Sequence, residues 1–127
     1  MAGVTPNEGK DVILNNVYVL SGVLQIGLIT NVSGLSEASV LANISEPTGG
    51  GYARQNLTNA SWVILDGNAA HPDMTFTAVG GDYVGDVYGY FITANAGATL
   101  LHFEVDANAP ISILDAQSYI VDLSSVI

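Results

Sequence analysis

The sequence predicts an all-β fold: a single antiparallel β-sandwich or jelly-roll-like domain with a short N-terminal helix or arm. Three observations predict it. Leu24, Ile26 and Leu28 open a stretch with period two, the signature of a strand. Further short apolar runs recur at strand-like spacing, and turn-forming residues separate them. Evenly spaced short strands joined by Gly, Asn and Asp turns are the pattern of sandwiches and jelly rolls.

The elements follow in order. Residues 1–16 form the arm or helix and residues 17–127 the sandwich domain. Pro6-Asn7-Glu8-Gly9-Lys10-Asp11 offers a helix start, with Asn7 as N-cap and acids in the first turn. Val12, Ile13, Asn16 and Val17 then fall at helical spacing, although Gly9 and the β-branched residues leave an extended arm as a competitor. A helix this short needs something to lie on. The pattern therefore makes Val12, Ile13 and Val17 candidate contacts, either with a partner subunit or across the open end of the chain's own sandwich.

After the first strand, runs at Tyr52–Leu57, Trp62–Leu65, Met74–Val79, Val84–Ala94, Thr99–Val105, Pro110–Leu114 and Tyr119–Val126 read as strands. Gly49-Gly50-Gly51, Asp66-Gly67-Asn68, Gly80-Gly81-Asp82, Asn95-Ala96-Gly97 and Asp106-Ala107-Asn108 supply the turns between them. Val32–Ile44 is undecided and fits a helical turn. Within Val84–Ala94, Tyr88, Tyr90 and Ile92 share one face while Val87, Gly89, Phe91 and Thr93 share the other, which suits a strand covered on both sides. Gly89 allows close approach of another backbone or of an aromatic ring.

Composition narrows the function classes. With 49% hydrophobic residues and a mean hydropathy of +0.40, the chain has the material for a packed core. It has no cysteine, so disulfides and thiolate metal sites are impossible. Lys10 and Arg54 are the only Lys or Arg, against twelve carboxylates, for a formal charge of −10. Nucleic acid and anionic membrane surfaces both need a basic footprint, so neither is expected as a partner; an acidic exterior suits docking onto a more basic protein. The longest apolar stretch, Val17–Ile29, is interrupted and too short for a transmembrane span of roughly 20 residues. Residues 1–12 carry no basic leader, so no secretory signal is expected.

No enzyme chemistry emerges, and no catalytic residue, cofactor or metal is expected. Most acids lie in turns, where their side chains bond nearby backbone N–H groups. His71 and His102 are far apart, without a His-x-x-x-His pair or the Gly-x-Ser-x-Gly turn that exposes a nucleophile. Gly81–Asp86 has two acids but lacks the spacing of a calcium loop, and fits a hairpin rim. Gly49–Gly51 is followed by no Lys-Ser/Thr pair and is not a phosphate loop. The sequons at Asn31, Asn43, Asn56 and Asn59 read as polar strand-and-turn composition. Arg54, between Tyr52 and Leu57, is expected to pair with a carboxylate and stack on an aromatic ring.

The central block carries a recognisable series: Leu24-Gln25-Ile26-Gly27-Leu28-Ile29-Thr30-Asn31, Ile44-Ser45-Glu46-Pro47, Gly51-Tyr52-Ala53-Arg54-Gln55-Asn56-Leu57-Thr58, Trp62, and Val87-Tyr88-Gly89-Tyr90-Phe91-Ile92-Thr93 followed by Leu100-Leu101. The densest motifs are Gly-Tyr-Ala-Arg and Val-Tyr-Gly-Tyr-Phe. This series, with the Pro6–Lys10 opening and Ile13-Leu14, resembles small virion structural proteins of tailed bacteriophages, of the capsid decoration (cement) type, over nearly the whole chain. The resemblance implies a non-enzymatic protein that binds the major capsid protein and stabilises the head as a symmetric homo-oligomer, a trimer being favoured. It implies synthesis in the bacterial host cytoplasm and a final place on the capsid surface. The alternative is a tail-fibre or spike component that binds a host surface glycan through Tyr- and Asn-rich loops. Against it, Trp62 falls in a predicted strand rather than a loop.

Overall fold

A computed structural model describes residues 3–20, 22–31 and 34–126. Helix α1 (Asn7–Leu14) runs directly into a wider π-helical turn, Asn15–Val19, so the helical segment extends past residue 16. Among the described residues eight strands follow: β1 (Leu24–Ile29), β2 (Gln55–Leu57), β3 (Val63–Leu65), β4 (Asn68–Ala70), β5 (Met74–Thr77), β6 (Gly89–Ala94), β7 (Thr99–Val105) and β8 (Ser118–Val121). All pairings are antiparallel, in a four-stranded sheet ordered β2-β1-β6-β7 and two ribbons, β3-β4 and β5-β8. The fold is all-β with a short N-terminal helix, as the periodicity predicts.

The alternation within β1 and β6 decides where the core lies. Ile26 pairs with Ile92 and Leu28 with Tyr90, and directly opposed residues share a face. That face packs with Leu57, with Trp62 and Ala69 near the β3-β4 ribbon, and with Phe76, Tyr119 and Val121 of the β5-β8 ribbon in one buried cluster. The other face holds Gly27, Ile29, Gly89, Phe91 and Thr93, which are also buried, so the two central strands are covered on both sides. Two glycines here are dictated by packing. A Cβ on Gly27 would sit 2.6 Å from the Phe91 ring and 2.8 Å from the Tyr52 hydroxyl. A Cβ on Gly89 would overlap the Glu104 carbonyl on β7. The close approach expected at Gly89 is therefore made by the neighbouring strand of the same chain.

Several strand boundaries differ from expectation, each for a local reason. The Asp66-Gly67-Asn68 turn is tighter than predicted: Leu65 pairs with Asn68, and Asp66 (φ 52°) and Gly67 (φ 76°) alone make the loop. Both central residues left-handed is the hairpin geometry that Asp-Gly favours, so β4 begins at once in Asn68-Ala69-Ala70, a stretch too weakly apolar to announce itself. Val84–Tyr88 and Pro110–Leu114 are not ladder strands; they meet through single bridges, Val84 with Thr48 and Val87 with Ile111. Gly81–Asp86 is accordingly a pinned loop and no hairpin rim. Asp82 accepts from Asp115 N–H (2.7 Å) and Asp86 from the Ser112 hydroxyl (2.9 Å). The run Tyr119–Val126 is a ladder only as far as Val121, and Tyr52–Leu57 only from Gln55. In the undecided stretch a 3-10 turn forms at Leu41–Asn43, while Val32 and Ser33 lie outside the described residues.

Thr93 is fully buried with an unpartnered hydroxyl. Removing an orphaned buried hydroxyl without losing volume lifts a desolvation cost of about 1–3 kcal/mol. Thr93→Val is therefore expected to raise the midpoint of chemical unfolding. Gly89→Ala is expected to cost more stability than Gly27→Ala, because a strand backbone yields less readily than a phenyl ring. Equal costs in urea titrations would contradict this packing account.

Candidate functional site

The sequence singles out the N-terminal helix. It lies against its own domain. Leu14 and Tyr18, four residues apart, are buried, and Gly67 N–H donates to the Asp11 carboxylate (2.6 Å), tying the helix to the β3-β4 turn. Lys10 and Asn7 also border Gly67. Asn7 is the first helical residue; Pro6 occupies the cap position, and no side chain caps the helix. Val12 and Ile13 are 61% and 56% exposed, while Val17 is partly buried against the core. The three candidates therefore do not form one face: two point to solvent and the third inward. The buried stripe was legible in the Leu14/Tyr18 spacing, which places those side chains one above the other. A shallow apolar cleft of about 320 Å³ beside Ile13 is lined by Lys10, Ile13, Leu14 and Gly67.

The expected Arg54 pair exists, and Glu46 is its partner. Arg54 Nε and Nη2 donate to Glu46 Oε1 and Oε2, each at 3.0 Å, a bidentate pair about three-quarters buried on both sides. The guanidinium lies over the Phe91 ring, 5.2 Å from its centroid, and Nη1 donates to the Gly97 carbonyl (3.2 Å). The Tyr52 hydroxyl donates to Glu46 (2.7 Å) and accepts from Leu28 N–H (2.9 Å). Because β2 stops at Gln55, the side chain of Tyr52 takes over the backbone donor of β1 that the ladder leaves open. The Glu46 contact holds the Arg54 guanidinium above its ordinary range. The arrangement is a closed clamp, with every charged atom spent on a neighbour in the fold.

The other chemistry-bearing residues are engaged in the same way. His71 is buried beside Trp62, with ring centroids 5.0 Å apart. Its Nε2 accepts from Thr58 N–H (3.3 Å), which leaves Nδ1–H to donate to the Pro72 carbonyl (2.7 Å). His102 is half-buried against Tyr90, and burial lowers its pKa. Asp106 and Asp122 accept from Asn108 and Ser124 N–H, the turn role expected of them. All four sequon asparagines make structural bonds; Asn59 alone bridges the carbonyls of Tyr18 and Gly22. The three successive left-handed glycines at 49–51 form a backbone turn packed on Tyr83. Among the described residues, no group of three or more His, Asp or Glu is placed to hold a metal ion, and no helix is long and apolar enough to cross a membrane.

No protein-family model, curated protein or solved structure matches the chain, so the resemblance to phage virion proteins rests on the quoted motifs.

Two outcomes test this picture. Arg54→Met leaves Glu46 without its bidentate partner and is expected to destabilise the fold by about 2 kcal/mol, below the cost for a fully buried pair because this one is partly solvated. Glu46→Leu in the same chain should recover part of that loss. The second concerns alkali. Burial pushes the Tyr18 phenol up to about 12 and raises Tyr52, Tyr90 and Tyr119 as well, with carboxylates Glu46, Glu104 and Asp106 adding to the last three. A raised folded-state pKa means the fold holds these protons more tightly than the unfolded chain. Stability is therefore complete below the ordinary value of 10.0 and falls as the pH climbs above it. Tyrosinate absorbance at 295 nm is expected to rise together with loss of the fold. Ionisation of all six tyrosines near 10 with the fold intact would contradict it.

Proposed function

We propose that this chain is a phage virion structural protein that decorates and stabilises the capsid surface, binding the major capsid protein through protein–protein contacts as a symmetric homo-oligomer, with a trimer favoured. The observation that carries the reading is where the polar chemistry is spent. Arg54, Glu46, His71 and the Tyr52, Tyr90 and Tyr119 hydroxyls are each bonded within the fold. Aliphatic side chains such as Val12, Ile13, Leu20, Val63 and Leu65 stand in solvent instead. A domain with its reactive groups locked and its aliphatics outside suits passive docking better than turnover. The phage-like motifs support the same reading, and the charge of −10 favours a basic docking surface. A closed oligomer makes several matching contacts at once on a symmetric shell, so individually weak contacts hold firmly.

The glycan-binding alternative draws no support from Trp62, which is buried against Tyr18 with ring centroids 4.6 Å apart.

Purified protein is expected to cosediment with heads of the encoding phage that lack it and to raise the temperature at which they release DNA. Val12→Ser combined with Ile13→Ser, which leaves Leu14 and Tyr18 in place, should weaken that binding by about tenfold, roughly 1.4 kcal/mol, without altering the fold. Failure to cosediment, together with absence from particles by mass spectrometry, would sink the proposal. Saturable binding on a glycan array without particle binding would replace it with the tail-fibre reading.

A further inference from the structure

We propose that the seam between the free edges of β7 and β8 is a strand-addition site for an extended, lysine- or arginine-bearing segment of a partner protein. This deepens the reading above by naming a contact surface, and rests on it only for what the partner is.

β7 is the last strand of the four-stranded sheet, and among the described residues β8 pairs only with β5. The direction of their unused backbone groups follows from the ladders. Asp106 N–H donates to Tyr88 O (2.7 Å), which makes Tyr88 and Asp106 a hydrogen-bonded pair in the β6-β7 register. Hydrogen-bonded and open pairs alternate in an antiparallel ladder. Glu104 and His102 therefore bond toward β6, while the peptide groups of Phe103 and Val105 point away from it. On the β5-β8 ribbon, Ala78 N–H donates to Gln117 O (3.0 Å), and the same alternation turns the peptide groups of Ser118 and Ile120 outward. No described residue bonds the outward groups of Phe103, Val105 or Ile120.

A cleft of about 260 Å³ lies between these edges. Glu104, Val105, Asp106 and Ala107, with Gly89 and Tyr90 of β6 behind them, line one wall, and Tyr119, Ile120, Val121 and Asp122 the other. The cleft takes in the C-terminal end of β7, the turn that follows it at Asp106 and Ala107, and the C-terminal half of β8. Glu104, Asp106 and Asp122 are its charged groups, with no cation among the lining residues. The edge continues into a second cleft, where Leu100–Phe103 face Ser36, Glu37 and Ser39 and the charge is again acidic. Tyr90 and Tyr119 hold the first carboxylates in place by donating to Glu104 Oε2 (3.0 Å) and Asp106 Oδ2 (2.7 Å). Unpaired backbone between acidic walls fits a strand that brings its own cations. A second copy of this chain, also at −10 and with its one Arg locked to Glu46, brings like charge to the same edge.

The probe is an alternating Lys-Thr peptide of about eight residues, an ordinary strand length, titrated into the 15N-labelled full chain. An alternating Lys-Pro peptide of equal charge is the control, because it lacks the N–H groups that a strand needs. Saturable shifts of the Phe103, Val105 and Ile120 amides with Lys-Thr, and not with Lys-Pro, are expected. Val105→Pro deletes one outward N–H without touching the bonds to β6 and should abolish those shifts. Should that variant fail to fold, Glu104→Gln with Asp122→Asn, which keep acceptors for Tyr90 and Ser124, should weaken binding by about tenfold. An equal response to Lys-Pro, silence at the three amides, or shifts of the same amides on diluting the protein alone would overturn the proposal; the last outcome would assign the seam to a second copy. Peptide binding without cosedimentation would discard the capsid reading and keep this site, whereas cosedimentation without peptide binding would do the reverse.

Discussion

The Phe91 ring packed against the bare Cα of Gly27 is the contact on which the sheet depends. β1 and β6 pair directly at this point, and the bare Cα of Gly27 lets the ring fill the space where a side chain would stand. Arg54 covers the ring from above, Glu46 fixes Arg54, and Tyr52 fixes Glu46 while satisfying the backbone of β1. Five residues from four separate stretches of chain are thereby locked to one another. The charges survive burial because each is hydrogen-bonded in full geometry, a condition that an isolated buried pair seldom meets.

That clamp also explains how little electrostatic freedom the protein retains. Its one arginine is held inside, and its other cation, Lys10, borders the turn at Gly67. The carboxylates outside the clamp face solvent or serve turns and loop pins, as Asp82, Asp86, Asp106 and Asp122 do. The outer surface is then a nearly uniform acid field interrupted by aliphatic side chains. Such a surface selects for a basic partner, which is the common ground of the docking role and the β7-β8 seam.

Much of this was legible in the residues. The period-two runs gave β1 and β7 almost to the residue, and β6 at its C-terminal end but five residues too long at its start, because Val84–Tyr88 is apolar yet makes only single bridges. Arg54 was readable as an aromatic-stacked ion pair, since a lone Arg among acids has few other options. Its partner was not, because Glu46 precedes the strand and reaches Arg54 only through the left-handed glycine turn at 49–51. Short elements were the least legible: β4 is three small residues whose pairing is set by the two-residue turn before it, and Pro110–Leu114 looks like a strand but finds a single bridge. Of the helix and the extended arm that the N-terminal pattern allows, the helix forms, and its buried stripe lies in the Leu14/Tyr18 spacing rather than at Val12 and Ile13. Val12 and Ile13 attract attention as β-branched aliphatics at helical spacing with Val17, whereas the helix seats Leu14 and Tyr18. The open edge of β7 could not be read at all, since strand order is a property of tertiary pairing and leaves no mark on local periodicity.

The central place of β1 has a consequence during synthesis. Its two neighbours, β2 and β6, lie far downstream; Leu24 waits for Leu57 and Leu28 for Tyr90. As the ribosome delivers the chain, Leu-Gln-Ile-Gly-Leu-Ile emerges long before either partner exists. That uncharged, strand-forming hexapeptide is the kind of segment that stacks with its own copies. The nascent chain therefore passes through a window in which its stickiest strand is unpaired, and it closes only when β6 is made. Yield in the cell is then governed less by the stability of the finished sheet than by how well slow, cool synthesis and chaperone capture shelter one strand until its partner arrives.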